Sequence, residues 1–178
     1  MCTRKLLEKV AQCSSWGTGL SNELLVAYAD TFSATPAPPV MDGTTTNTAA
    51  ITSTGAFTPV TANDGFVALT LDTETKVVDF TTVQDSNGAV TTTITGRLHA
   101  SPSALGFARK IQAKSQLFMA ATRKEGQKML YGRQGFPCVV TQWDIKDASK
   151  EAYIDFTVVL QDRGFVLDSA VTVPLKTA

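Results

Sequence analysis

Residues 76–100 read KVVDFTTVQDSNGAVTTTITGRLHA, two alternating runs on either side of Asp85-Ser86-Asn87-Gly88. An Asn-Gly step accepts the positive φ angles that a tight turn requires, so the stretch predicts a β-hairpin with strands over 76–84 and 89–100. In the second strand Val90, Ile94 and Leu98 share one face, while Thr91, Thr93, Thr95, Arg97 and His99 share the other. Side chains of period two belong to a sheet with one dry face and one wet face, here lined with threonine.

Working toward the C-terminus, Ser101-Pro102 has the chemistry of a helix start, a hydroxyl cap followed by proline in the first turn. Leu105, Ala108 and Ile111, with Ala104 and Phe107, then recur at helical spacing and predict a helix over about 102–113. Arg109, Lys110 and Lys114 occupy its other side and its C-terminal end, where positive charge suits the helix dipole. A buried strand is expected over 115–122, a turn at 123–127 with Gly126 in the bend, and a strand over 128–132. Strands over 138–145 and 151–161 follow. In the latter Ile154, Phe156, Val158 and Leu160 oppose Tyr153, Asp155, Thr157 and Gln161. The tail, 165–174, is expected to add an edge strand.

Toward the N-terminus, a strand is expected over 66–71, closed by a turn at 72–75. From 33 to 64 the composition changes: Pro36, Pro38 and Pro39 interrupt pairing, and Thr44, Thr45 and Thr46 continue a small-residue tract. This reads as a long surface loop with one edge strand, or an arm that orders against a neighbour. Residues 23–29 read as a strand. Residues 4–12, with Leu6, Leu7 and Val10 among charges, suit a short amphipathic helix, an irregular arm or a strand. The fold class is therefore mainly β (α+β), an antiparallel β-sandwich or barrel with one flanking helix, long hairpins and an extended N-terminal loop or arm. It is divided as an N-terminal segment with the first strand (1–32), a Pro/Thr-rich loop or arm (33–64) and the β core (65–178), a single domain altogether.

A chain of 178 residues is long enough for one full core. Lys plus Arg number 16 and Asp plus Glu number 16, a balance unlike that of a dedicated nucleic-acid binder and compatible with self-association. Cys2, Cys13 and Cys138, odd in number and widely spaced, fit neither a disulfide framework nor a zinc site, so free thiols made in a cytoplasm are expected. Neither a secretory signal nor a membrane-spanning segment is expected.

Little in the chain reads as reaction chemistry. His99, the one histidine, lies on the polar side of a strand. Asp72 and Glu74 share a turn, and Asp162 and Asp168 flank Arg163; these are surface and turn positions for carboxylates. Asp79 and Asp155 interrupt apolar strands and predict a wet face or cross-strand ion pairs. Gly17-Thr18-Gly19 lacks the helix and the Lys-Ser/Thr step of a phosphate loop. Trp16, Trp143, Phe136 and Tyr131 could form a ligand-binding cluster, although core or interface packing is the commoner use of such residues. Arg109, Lys110, Lys114, Arg123 and Lys124 read as a solvated face or a charged subunit contact. No catalytic residue, metal ligand set or cofactor is expected.

The sequence of elements carries a resemblance. A segment with Cys13 and Gly17-Thr18-Gly19 leads into the strand 24–29 and a polar excursion. The hairpin of 76–100, the helix after Pro102, the strand 117–122, Met129-Leu130-Tyr131-Gly132 and the long pair ending at Gln161 then follow. This order resembles the tail tube subunits of tailed bacteriophages and is similar to the tube subunits of contractile injection systems. It spans roughly residues 10–175 and rests on the character of the elements, with no short diagnostic motif. The resemblance implies a non-enzymatic homo-oligomer of hexameric rings stacked into a hollow tube, made in the host bacterial cytoplasm and built into the virion with other tail proteins. It implies transient, non-specific passage of DNA through that tube. Thr91, Thr93, Thr95 and Arg97 would face the lumen. The hairpins at Asp85, Ser86, Asn87, Gly88 and at Lys124, Glu125, Gly126 would extend sheets between subunits. Another virion component (a tail terminator, a head-completion or connector protein, a capsid decoration protein) is the alternative within the class. A ligand-binding β-sandwich using Trp16, Trp143 and Tyr131 is the alternative outside it.

Overall fold

The computed structural model describes residues 20–40, 44–46, 48–71, 78–111, 115–123, 126–147 and 152–177. The segment at 4–12, Trp16 and the Gly17-Thr18-Gly19 step lie outside the described residues, as do Cys2, Cys13, Lys114, Lys124 and Glu125. The elements are β1 (Leu20–Tyr28), a 3-10 turn (Ala29–Thr31), β2 (Phe32–Ala34), β3 (Thr52–Ser53), β4 (Thr58–Pro59), β5 (Val67–Thr70), β6 (Asp79–Gln84), β7 (Val90–His99), α1 (Pro102–Lys110), β8 (Gln116–Arg123), β9 (Lys128–Tyr131), β10 (Cys138–Asp147), β11 (Ala152–Leu160) and β12 (Phe165–Leu167).

The strands form one large sheet, ordered β3-β12-β9-β8-β10-β11-β7-β6, with β1 and β5 branching from β8. It closes on itself. β1 pairs with β5 and β8, β8 with β10, β10 with β11 and β11 with β7, and the bridge Leu71↔Leu98 joins the β5 side to β7. Closure removes free edges from that part of the sheet. The pairings are antiparallel except β3 with β12 and the bridge Phe66↔Leu175. The mainly β barrel with one helix is the architecture that strand alternation plus a single 3.6-period segment specifies.

Two apolar clusters fill it. Ile94 and Leu98 of β7, Ile154, Phe156, Val158 and Leu160 of β11, and Leu24, Val26, Leu117 and Met119 of β1 and β8 form the barrel interior. The opposite faces of β1 and β8, through Leu25, Ala27, Phe118 and Ala120, pack on Phe32, Phe57, Phe66, Val171 and Val173. Both faces of β8 are thus dry, which explains its run of apolar residues without alternation. The covering layer comes from the 33–64 excursion and the C-terminal segment. Ala37 N–H donates to Thr54 O at 2.9 Å, β2 pairs with β4, and Phe57 sits 5.2 Å from Phe32 and 5.3 Å from Phe66, ring centre to ring centre. The described part of the excursion therefore docks on its own chain and holds more strand than the single edge strand expected.

Three further expectations need correction. The helix stops at Lys110, short of 113: Ile111 is extended (φ −81°, ψ 125°), donates its N–H to Phe107 O and buries its side chain in the barrel cluster. Burial of Ile111 at the barrel wins over one more turn of helix. The tail strand β12 is interior, held between β9 and β3, because its Phe165, Val166 and Leu167 are all buried. Finally, the β6–β7 turn is a three-residue loop in which Gly88 alone takes a positive φ, of 87°. Asp85 N–H donates to Ala89 O, Gly88 N–H to Asp85 O, and Asp85 Oδ1 accepts from both Asn87 N and Ala89 N at 2.9 and 2.8 Å. The carboxylate of Asp85 closes a wider loop than an Asn-Gly two-residue turn would make.

Candidate functional site

The inner face of β6–β7–β11–β10 belongs to the core, and its outer face stands uncovered on the described chain. Directly opposite residues share a face, so the register assembles it row by row. Thr91 lies beside Val83, Thr93 beside Thr81 and Val159, Thr95 beside Asp79 and Thr157, and Arg97 beside Asp155. Thr91, Thr93, Thr95 and Arg97 thus form one column, as the alternation of β7 requires, each partly exposed. Thr92 and Gly96 point inward with Ile94 and Leu98. The buried Thr92 hydroxyl donates to Asp162 O at 2.7 Å and lies 2.9 Å from Thr82 Oγ1, which satisfies it.

At the helix end of this face the threonines give way to charge. Arg97 Nε and Nη2 donate to Asp155 Oδ1 and Oδ2 at 2.9 and 3.2 Å, a two-pronged pair, and the guanidinium lies 3.6 Å above the centre of the Tyr153 ring. Lys146 Nζ approaches Asp155 Oδ2 at 3.7 Å. Asp144 sits directly opposite Asp155. Two carboxylates side by side repel, and Arg97 and Lys146 offset that repulsion. Among the described residues the face therefore carries Asp79, Asp144 and Asp155 against Arg97 and Lys146, three negative and two positive charges, a net of −1. The cross-strand pair expected of Asp155 is present; Asp79 is exposed at the sheet margin. His99 ends β7, also exposed.

β6 is the last strand of the sheet on this side. All its side chains are exposed except that of Phe80, whose ring stacks on Tyr131 at 4.3 Å. Its ladder with β7 runs through six consecutive pairs without a register shift. It contains neither lysine nor proline. The second candidate hairpin, β8–β9, turns through Gly126 at φ +86°, with Arg123 N–H donating to Gln127 O and Gly126 N–H to Arg123 O.

The aromatic residues separate. Trp143 packs between Phe156 (5.5 Å) and Phe107 of α1 (6.0 Å), Tyr131 stacks on Phe80, and the half-exposed Phe136 lies under Arg133 at 4.2 Å. Among the described residues, Trp143, Tyr131 and Phe136 do not form one ligand platform. Burial pushes the Tyr131 hydroxyl up to about 12 and raises the Cys138 thiol further; both stay protonated near neutrality, and the thiol is inert in its apolar site. Asp162 is tied to Arg133 Nε at 3.0 Å and accepts from Arg163 N, while Asp168 caps Ala170 N. The Arg133–Asp162–Thr92 link was invisible in sequence because its members are distant along the chain. Among the described residues no three His, Cys, Asp or Glu side chains gather as a metal site, and no helix is long and apolar enough to cross a membrane.

A cleft of about 490 Å³ opens between α1, the ends of β1 and β8, and the C-terminal segment. Val26, Val67, Phe107 and Leu117 give it apolar walls, and Lys110 and Lys176 stand at its rim. Lys176 is paired with Asp64 at 3.1 Å. Tyr28 Oη donates to Lys110 O at 3.1 Å and so fastens the end of α1 to the end of β1. No protein-family model, curated protein or solved structure matches the chain.

Proposed function

We propose that this protein is a structural subunit of a bacteriophage virion, a tail tube protein whose copies close into rings, hexameric by the resemblance, and stack into a conduit for DNA. The observation that carries the reading is the β6 margin of the threonine-lined sheet. An edge strand with exposed side chains, an unshifted register against its neighbour and neither lysine nor proline offers a template for another chain. A head-to-tail contact of that kind between identical subunits generates rings or filaments.

The outer face of the same sheet suits a conduit wall. Its threonines offer short, neutral, hydrated side chains, and both its cations are engaged by Asp155. A surface without free positive charge neither condenses on phosphates nor releases counterions, so DNA slides past it. Other tail proteins are the expected partners at the ends of the tube, and the assembled virion is the expected location.

The test is direct. Purified protein is followed by light scattering across a concentration series and imaged by negative-stain microscopy. Rings or tubes of uniform diameter are expected. A protein that stays monomeric throughout, at concentrations well above micromolar, overturns the reading.

A further inference from the structure

The cleft beside α1 runs into the apolar cluster of the barrel. Val26 and Leu117, which line it, belong to that cluster, and Phe107 of α1 packs against the same cluster. Val67 lies directly opposite Val26 in the β1–β5 ladder, so the two share a face. Leu69, two residues further on that face, is buried, whereas Val67 is 38% exposed. The core is thus unfinished at the cleft. On the α1 side Gly106 leaves room, since an added Cβ would meet nothing within 4 Å. A volume of about 490 Å³ falls within the roughly 300–1,000 Å³ of small-molecule sites, for which the mouth of a β-barrel is a common position.

The charges at the rim are uneven. Lys176 is offset by Asp64 at 3.1 Å, while the ammonium of Lys110 has no ion-pair partner among the described residues. Asp30, on the 3-10 turn after Tyr28, does not line the cleft. The end of α1 carries a partial negative charge of roughly half a unit. Two of its carbonyls are already engaged, Lys110 O by the Tyr28 hydroxyl and Phe107 O by Ile111 N–H. The full positive charge of Lys110 therefore prevails, with Arg109 beside it in the chain.

We propose that the cleft binds a single-chain aliphatic carboxylate, a medium-chain fatty acid, with its chain against Val26, Val67, Phe107 and Leu117 and its carboxylate at Lys110 Nζ. The walls hold the chain by taking it out of water, and the ammonium without a partner selects a negative head group through a charge-assisted hydrogen bond. A cationic head on the same chain would meet Lys110 as a like charge. None of the lining residues belongs to β6, so the site leaves that edge free and does not depend on self-assembly.

The experiment is calorimetry on the full chain, titrated with hexanoate, octanoate and decanoate below their micelle-forming concentrations. Saturable binding at a single site per chain is expected, with affinity rising about fourfold for each added methylene and a negative change in heat capacity. Decyltrimethylammonium is expected to bind about tenfold or more weakly than decanoate. Lys110→Glu, at an exposed position, is expected to reverse that order, which a merely unfolded or loosened variant would not do. Gly106→Trp, also at an exposed position, places a ring in the cleft and is expected to abolish binding of both amphiphiles. Absence of saturable decanoate binding overturns the proposal, as does binding that neither variant alters. Rings and tubes are read separately by microscopy, so either reading can fail while the other stands.

Discussion

Tyr131 shows how much a single side chain reports on the packing of this barrel. Its ring is held between Phe80, stacked at 4.3 Å, and the Cα of Gly164, where an added Cβ would lie 2.3 Å from the ring. Burial raises its hydroxyl from 10.0 to about 12. Because the folded state keeps the proton more tightly than the unfolded chain, this group's contribution is intact below pH 10 and is lost as pH rises from there through about 12. The loss is on the order of 2–3 kcal/mol when complete. Tyr131→Phe has no proton to lose. Urea melts of the two proteins between pH 8 and pH 12 are expected to show the wild type losing stability more steeply above pH 10, by about that amount. Parallel curves would mean that the hydroxyl reaches water in the folded state. Cys138, raised for the same reason, is common to both proteins and cancels in the comparison.

At the scale of elements, β6 pairs with β7 and, among the described residues, with no other strand. Phe80 supplies its one partly buried side chain, and the Thr82–Thr92 contact at 2.9 Å supplies its one side-chain hydrogen bond to β7. Phe80→Ala removes the stack on Tyr131 and leaves β6 held by its backbone ladder and the Thr82–Thr92 hydrogen bond. Hydrogen exchange is expected to show amides of Asp79–Gln84 losing protection by tenfold or more, about 1.4 kcal/mol of local opening, while β11 and the inner half of β7 stay protected. Uniform loss across the barrel would show that β6 belongs to the same cooperative unit. These elements also show where the sequence could be read. β7 and β11 declared themselves because one face is dry and the other wet, so alternation encodes their orientation. β8 was readable as buried for the converse reason. The end of α1 was not readable, since Ile111 fits the helical repeat equally well and only the neighbouring barrel decides its conformation. Nor was β12: three residues carry no period, and their place between β9 and β3 is set by partners far along the chain. The Asp85 loop was half readable, because Asn-Gly announces a turn while the choice of loop length lay with a carboxylate two residues earlier.

For the whole molecule, the charge on the outer face of β6–β7–β11–β10 decides whether that face suits the wall of the proposed conduit. Thr91, Thr93 and Thr95 were legible as a polar column, but the balance around Arg97 depends on Asp144 and Lys146, which only the register of β10 against β11 brings alongside. The net of −1 predicts that the isolated protein has no measurable affinity for double-stranded DNA at physiological ionic strength, near 0.15 M, where weak contacts are screened within about 8 Å. Replacing both Asp79 and Asp144 by lysine adds two charges at each position and moves the face from −1 to +3, while Asp155 keeps its grip on Arg97. The double variant is expected to bind DNA without sequence preference and to release it as salt rises, with a slope on the order of two to three neutralised phosphates. Fluorescence anisotropy of a labelled duplex between 50 and 300 mM salt, values set about the physiological range, reads both proteins. Wild-type binding as tight as the variant's would place a strong cationic surface elsewhere on the subunit and remove the lumen assignment from Thr91, Thr93, Thr95 and Arg97. A silent wild type beside a binding variant is what a wall that DNA must cross without stopping requires, because the same geometry then holds or releases the duplex according to two carboxylates alone.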